Sequence, residues 1–77
     1  MNYFTENQIK VLRLRVQGKT PVEIQKMEHM PSSSVYYALK TGRGKVDKII
    51  ERLQFVIENE MIDKEQRKKF QLLLSKI

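Results

Sequence analysis

Apolar residues recur along this chain at spacings of three and four, and no segment alternates with a period of two. That periodicity is helical and leaves no place for a strand. Ile9, Leu12 and Val16 fall at i, i+3 and i+7, with Val11 and Leu14 beside them. Thr5 followed by Gln8 makes a capping box at the start of this first helix, Phe4 can fold back on its first turn as a hydrophobic staple, and Gly18 ends it. Thr20 and Glu23 form a second capping box with Pro21 at the first helical position, where the missing N–H costs nothing. The short helix that follows offers Val22, Ile24 and Met27. Pro31 disfavours helix at Met30, so the chain turns around His29.

Ser32 is then placed to cap a third helix that carries Val35, Ala38 and Leu39 inward. Gly42-Arg43-Gly44 predicts a break. A fourth helix is expected from Lys45 to about Met61, with Val46, Ile49, Ile50, Leu53, Val56 and Ile57 as its apolar stripe. Asp63 and Gln66 make a third capping box, opening a fifth helix with Phe70, Leu73, Leu74 and Ile77. The expected fold class is all-α: a helix-turn-helix three-helix unit over residues 1–44, followed by two C-terminal helices over residues 45–77, in one compact domain.

Length sharpens this picture. A chain of 77 residues has a thin core, and with no cysteine neither a disulfide nor a thiolate metal site can reinforce it. His29 is the single histidine, so no metal site is expected. Dimerisation is a common remedy for so small a core. The spacing of residues 46, 50, 53 and 57 is that of a coiled-coil seam, with a second face beside it. We therefore expect a homodimer built from Val46, Ile49, Ile50, Leu53, Ile57, Phe70, Leu73 and Leu74. In the alternative, the last helix folds back as a lid within one chain. No run approaches the length of a membrane span or a signal-peptide core, which leads us to expect a cytoplasmic protein.

Charge points to the partner. The formal net charge is +6, and the sequence pI is about 9.8. Residues 1–44 hold seven Lys and Arg against three Asp and Glu, a balance of +4; residues 45–77 hold eight against six, a balance of +2. The excess lies in the N-terminal part, and a basic surface attracts polyanions. Catalysis has no support: no nucleophile stands with a base, Glu58 and Glu60 point apart on a helix, and Gly42-Arg43-Gly44 is too short for a phosphate loop. We expect no enzyme and no cofactor.

A short helix, a tight turn and a polar, aromatic helix on a basic chain is the pattern by which a helix-turn-helix reads duplex DNA. Ser32, Ser33, Ser34, Tyr36, Tyr37 and Lys40 suit base reading. Short hydroxyls hydrogen-bond base edges and let the backbone approach, and tyrosine rings pack against thymine methyls. Lys19, Thr20, Lys26, Arg43 and Lys45 suit the DNA backbone. The duller alternative is that the serines only cap and loop, one tyrosine is part of the core, and the cations are a solvated surface.

The stretch FTENQIKVLRLRVQGKTPVEI resembles the opening of LuxR-type DNA-binding domains and of the sigma-factor fourth region. It is more similar to the archaeal Tfx-type helix-turn-helix regulators, which share a similar first helix, a reader ending in a basic segment, and a following helix with an "L.F" stretch, here Leu53-Gln54-Phe55. The resemblance covers about residues 4–57. It implies core positions for Ile9, Val11, Leu12, Leu14, Ile24 and Val35, the inter-helix glycine at Gly18, and reading-helix positions for Ser34, Tyr36 and Tyr37. Gln25 stands where such motifs usually have alanine, and His29 where the turn often has glycine, which implies a different turn. The last twenty residues have no counterpart in that resemblance. The implied function is a DNA-binding transcriptional regulator. A rival from another class is a helical protein-interaction module whose basic surface is incidental, and a third is an RNA-binding helical domain.

Overall fold

The structure, a computed structural model, describes residues 3–77; the first two residues of the expected 1–44 unit lie outside the described residues. Among the described residues four helices follow one another: α1 (Glu6–Val16), α2 (Pro21–Glu28), α3 (Ser32–Glu58) and α4 (Lys64–Leu74). Among the described residues there is no strand, and the fold is all-α.

Three of the helices start where side chains satisfy first-turn N–H groups. Thr5 Oγ1 accepts from the Gln8 N–H at 3.2 Å, while the Thr5 N–H donates to Gln8 Oε1 at 2.9 Å. Thr20 with Glu23 and Asp63 with Gln66 repeat the reciprocal pair. Such caps stabilise a helix by about 1 kcal/mol each. The expected Ser32 cap gives way to Pro31, whose extended backbone (φ −66°, ψ 154°) lets its carbonyl accept from the N–H groups of Ser34 and Val35. Proline suits this position because its fixed φ matches and it brings no N–H to satisfy. Ser32 is thereby the first helical residue, and no side chain caps α3.

The turns between the first three helices share one geometry. Gly18 adopts φ +95°; its N–H donates to the Arg15 carbonyl and the Lys19 N–H to that of Leu14, both at 3.1 Å. His29 takes the same left-handed region (φ 52°, ψ 43°), and the Met30 N–H reaches back to the Gln25 carbonyl at 3.1 Å. These are Schellman-type closures. The different turn expected from histidine in place of glycine is therefore not found. His29 adopts the left-handed conformation that glycine would favour.

Val11, Ile24, Val35, Ala38 and Leu39 form the buried core, with Leu12, Leu14 and Met30 packed against it. Each of α1, α2 and α3 packs on the other two. Some expected core positions lie outside. Val16 is 87% exposed, because the inward series of α1 is Gln8, Val11, Leu12 and Arg15 rather than Ile9, Leu12 and Val16. Val22 and Met27 are also exposed, since α2 has eight residues and turns only Ile24 fully inward.

The expected break at Gly42-Arg43-Gly44 is absent: α3 runs through it for 27 residues. The reason is a close crossing. Gly42 is buried on the inward face, and a Cβ there would stand 2.8 Å from Leu12 Cδ1 and 3.1 Å from Leu12 Cγ. Glycine costs a helix about 1 kcal/mol relative to alanine, which packing of this kind offsets. The inward residues Val35, Ala38, Leu39 and Gly42 continue in helical phase into Val46, Ile49, Ile50 and Leu53, so one stripe runs along a single rod.

That rod outlasts its neighbours. α3 ends at Glu58, short of the expected Met61, because Glu60 enters the left-handed region (φ 54°) and the Met61 N–H closes onto the Val56 carbonyl at 3.0 Å. After the Asn59–Asp63 connection, α4 packs against no other helix closely. Leu53, Val56, Ile62 and Phe70 are half-buried around a shared cleft at the elbow, whereas Ile49, Ile50, Leu73 and Leu74 remain exposed. The molecule is elongated, 45 × 23 × 21 Å.

Candidate nucleic-acid interface

The first three turns of α3 sort their side chains by helical phase. Val35, Ala38 and Leu39 face α1 and α2, which leaves Ser33, Tyr36, Tyr37, Lys40 and Arg43 on the outward side, all exposed. Tyr36 is 54% and Tyr37 70% exposed, so neither ring belongs to the core. Ser32 is exposed beside the N-terminus of α3. Ser34 is half-buried and turns away from that face. Of the six residues expected to read bases, five are thus exposed at or near one end of the helix.

The residues expected at the DNA backbone divide differently. Lys26 is exposed in the last turn of α2. Thr20 Oγ1 accepts from the Glu23 N–H at 3.2 Å. Lys19 is half-buried in the α1–α2 turn, where its carbonyl accepts from Arg15 Nη1 at 3.3 Å. The Thr20 N–H, then its hydroxyl, and more weakly the charge on Lys19, hold the Glu23 carboxyl below its usual pKa.

Lys45 is engaged inside the molecule. Its Nζ donates to the Tyr3 carbonyl and to Gln8 Oε1, each at 2.8 Å, and lies 5.1 Å from the Tyr3 ring centroid and 5.8 Å from that of Phe4. Phe4 packs edge-on to Tyr3, with ring centroids 5.3 Å apart. The N-terminal segment is thereby clasped onto α3, 42 residues away in sequence.

Gln8 carries this clasp into the core, and its role beyond capping is not evident in the pattern of residues. It is 5% exposed, the one buried polar residue among those described. Its Oε1 serves the Thr5 N–H and Lys45, while its Nε2 donates to Thr41 Oγ1 at 2.8 Å. Thr41 in turn donates to the Tyr37 carbonyl at 2.8 Å. This chain of bonds ties α1 to the backbone of α3 directly beneath the exposed tyrosines. The one sequence signal was a polar residue on the inward phase of α1.

Among the described residues, the only ion pair is Lys10 with Glu6, at 3.6 Å. Lys26, Lys40 and Arg43 therefore have no carboxylate within 4 Å. Among the described residues, no group of His, Cys, Asp and Glu could hold a metal ion, and no helix is long and apolar enough to cross a membrane. No protein-family model, curated protein or solved structure matches the chain.

Proposed function

We propose that this chain is a sequence-specific, duplex-DNA-binding transcriptional regulator of the helix-turn-helix kind, akin to the Tfx-type and LuxR-type domains its sequence resembles. The observation that carries this reading is the outward face of α3. Ser33, Tyr36, Tyr37 and Lys40 stand exposed on the first three turns of a helix held by two shorter ones, with Arg43 at the face's end. The N-terminal end of α3 enters the major groove, as second helices of this motif do. Tyr36 and Tyr37 meet base edges and thymine methyls, while Ser32, Ser33 and Lys40 donate to bases or nearby phosphates. Lys26, Arg43 and the Thr20 hydroxyl hold the phosphate backbone. The capless start of α3 adds N–H groups that favour an anion.

The test is binding of the full chain to duplex DNA over a range of salt concentrations. Counterion release gives log K a slope of roughly one unit per phosphate contact. Selection from a random duplex pool then reads sequence preference, and Tyr37→Ala should weaken the selected site by about 1–3 kcal/mol relative to random duplex. A protein-interaction module would show neither the slope nor the selection, and an RNA-binding domain would lose the duplex to RNA competitors.

A further inference from the structure

A folded monomer of 9.2 kDa exposes about 4,900 Å². This chain exposes 6659 Å², about 1,700 Å² more than that scaling allows. Its radius of gyration is 15.7 Å, against about 11.5 Å for a compact chain of this length. Stable interfaces cover roughly 800 Å² per partner and obligate ones more, so the excess is the size of a missing interface.

The excess has a place. α1 ends at Val16, and beyond it the α3 stripe continues through Val46, Ile49 and Ile50, all exposed. A groove lined by Leu12, Val16, Arg43 and Val46 opens at that end. The distal part of α4 has the opposite shortage: Leu73 and Leu74 are exposed, as is Ile77 three residues beyond the helix. At the elbow, Leu53 and Val56 of α3 share one cleft with Gln66 and Phe70 of α4, so the chain turns back on itself there. Continued outward, that reversal would carry Leu73 and Leu74 towards Ile49 and Ile50. The two helices nevertheless splay apart there, because the left-handed Glu60 and the Asp63 capping box fix the direction in which α4 leaves.

We propose that a second copy of this chain fills the opening: Leu73, Leu74 and Ile77 of each copy seat against Val46, Ile49 and Ile50 of the other. The fit to a second copy, rather than to an unrelated protein, lies in self-complementarity. One chain carries both an uncovered stripe and an unhoused apolar helix end, and a two-fold axis satisfies each shortage twice with the same contacts. This interface stands whether or not duplex DNA is the ligand.

The absence of cysteine makes the test direct. Ile49→Cys and Leu73→Cys are made in separate full-length chains, mixed and oxidised, and the unmodified chain is sedimented at micromolar concentration. We expect a dimer by sedimentation and a cross-linked heterodimer in the mixture at higher yield than either variant gives alone. Leu73→Ser, which removes the contact twice, should weaken dimerisation by about 100-fold. A monomeric unmodified chain overturns the proposal. So does a doubly substituted chain that forms its 49–73 disulfide within one molecule, which would make α4 a lid on its own α3. Preferential 49–49 cross-linking overturns it as well, because α3 would then pack on α3.

Discussion

A pair of glycine substitutions two residues apart tests the least expected part of the fold. At Gly42 a methyl group would meet Leu12 Cδ1 at 2.8 Å, Cγ at 3.1 Å and Cδ2 at 3.4 Å, so Leu12 or the α1–α3 crossing must give. Overpacking of this kind costs about 1–3 kcal/mol, against which the better helix propensity of alanine returns about 1 kcal/mol. Gly42→Ala should therefore destabilise by up to about 2 kcal/mol. At Gly44 nothing lies within 4 Å of the added carbon, so Gly44→Ala should gain the propensity term alone, about 1 kcal/mol. For a domain of this size 1 kcal/mol moves Tm by about 4–8 °C, so circular-dichroism melts should show Gly44→Ala raised and Gly42→Ala lowered or unmoved. Leu12→Ala in the Gly42→Ala background should then cost less than it does alone, a coupling that a double-mutant cycle reads directly. Equal stabilisation by both alanines would show that Leu12 does not cross closely at Gly42. Destabilisation by Gly44→Ala would mean that α3 is broken there after all.

Other perturbations address the clasp, the caps and the basic surface. Gln8→Ala removes a buried amide that joins Thr5, Thr41 and Lys45, and should cost about 2 kcal/mol in urea unfolding; a loss under about 0.5 kcal/mol would show the network to be incidental. Arg43→Ala should weaken binding to all duplexes alike and reduce the salt slope by roughly one, whereas relaxed preference at a single base pair would make Arg43 a reader. The pKa of Glu23 is depressed in the fold, so its ionised form adds stability above the unfolded value near 4.5, and that contribution is lost as pH falls through the lower folded value. Glu23→Gln should accordingly flatten the acid limb of the stability profile. A carboxyl resonance titrating at or above 4.5 by NMR would contradict the cap.

The features readable from the chain alone are those decided over a few residues. All three capping boxes join positions three apart, and each forms as the spacing implies. Val11, Ile24, Val35, Ala38 and Leu39 are buried where the helical period puts them. The misreadings fall where distant contacts override local preference. Gly42 looks like a break until Leu12, thirty residues earlier, occupies the space a side chain would need. Val16 fits an apolar stripe, but Gln8 and Val11 set the phase that the core accepts. On the candidate surface, the exposure of Tyr36 and Tyr37 follows from the inward phase of their neighbours. The attachment of Lys45 to Tyr3 and Gln8 does not, because nothing local brings those groups together.

The unbroken α3 has a mechanical consequence. Its 27 residues span about 40 Å, so the outward face at its start and the uncovered stripe at its far end belong to one shaft with a fixed angular offset. Each residue added to a helix turns everything beyond it by about 100°, so one alanine inserted after Lys45, between the outward face and the stripe, would leave both intact but out of phase. Seven would bring them back to within about 20° while lengthening the shaft by about 10 Å. The angular relation between the two ends of this protein is thus set by the number of residues between them, as a key's bit is set by the cut of its shank.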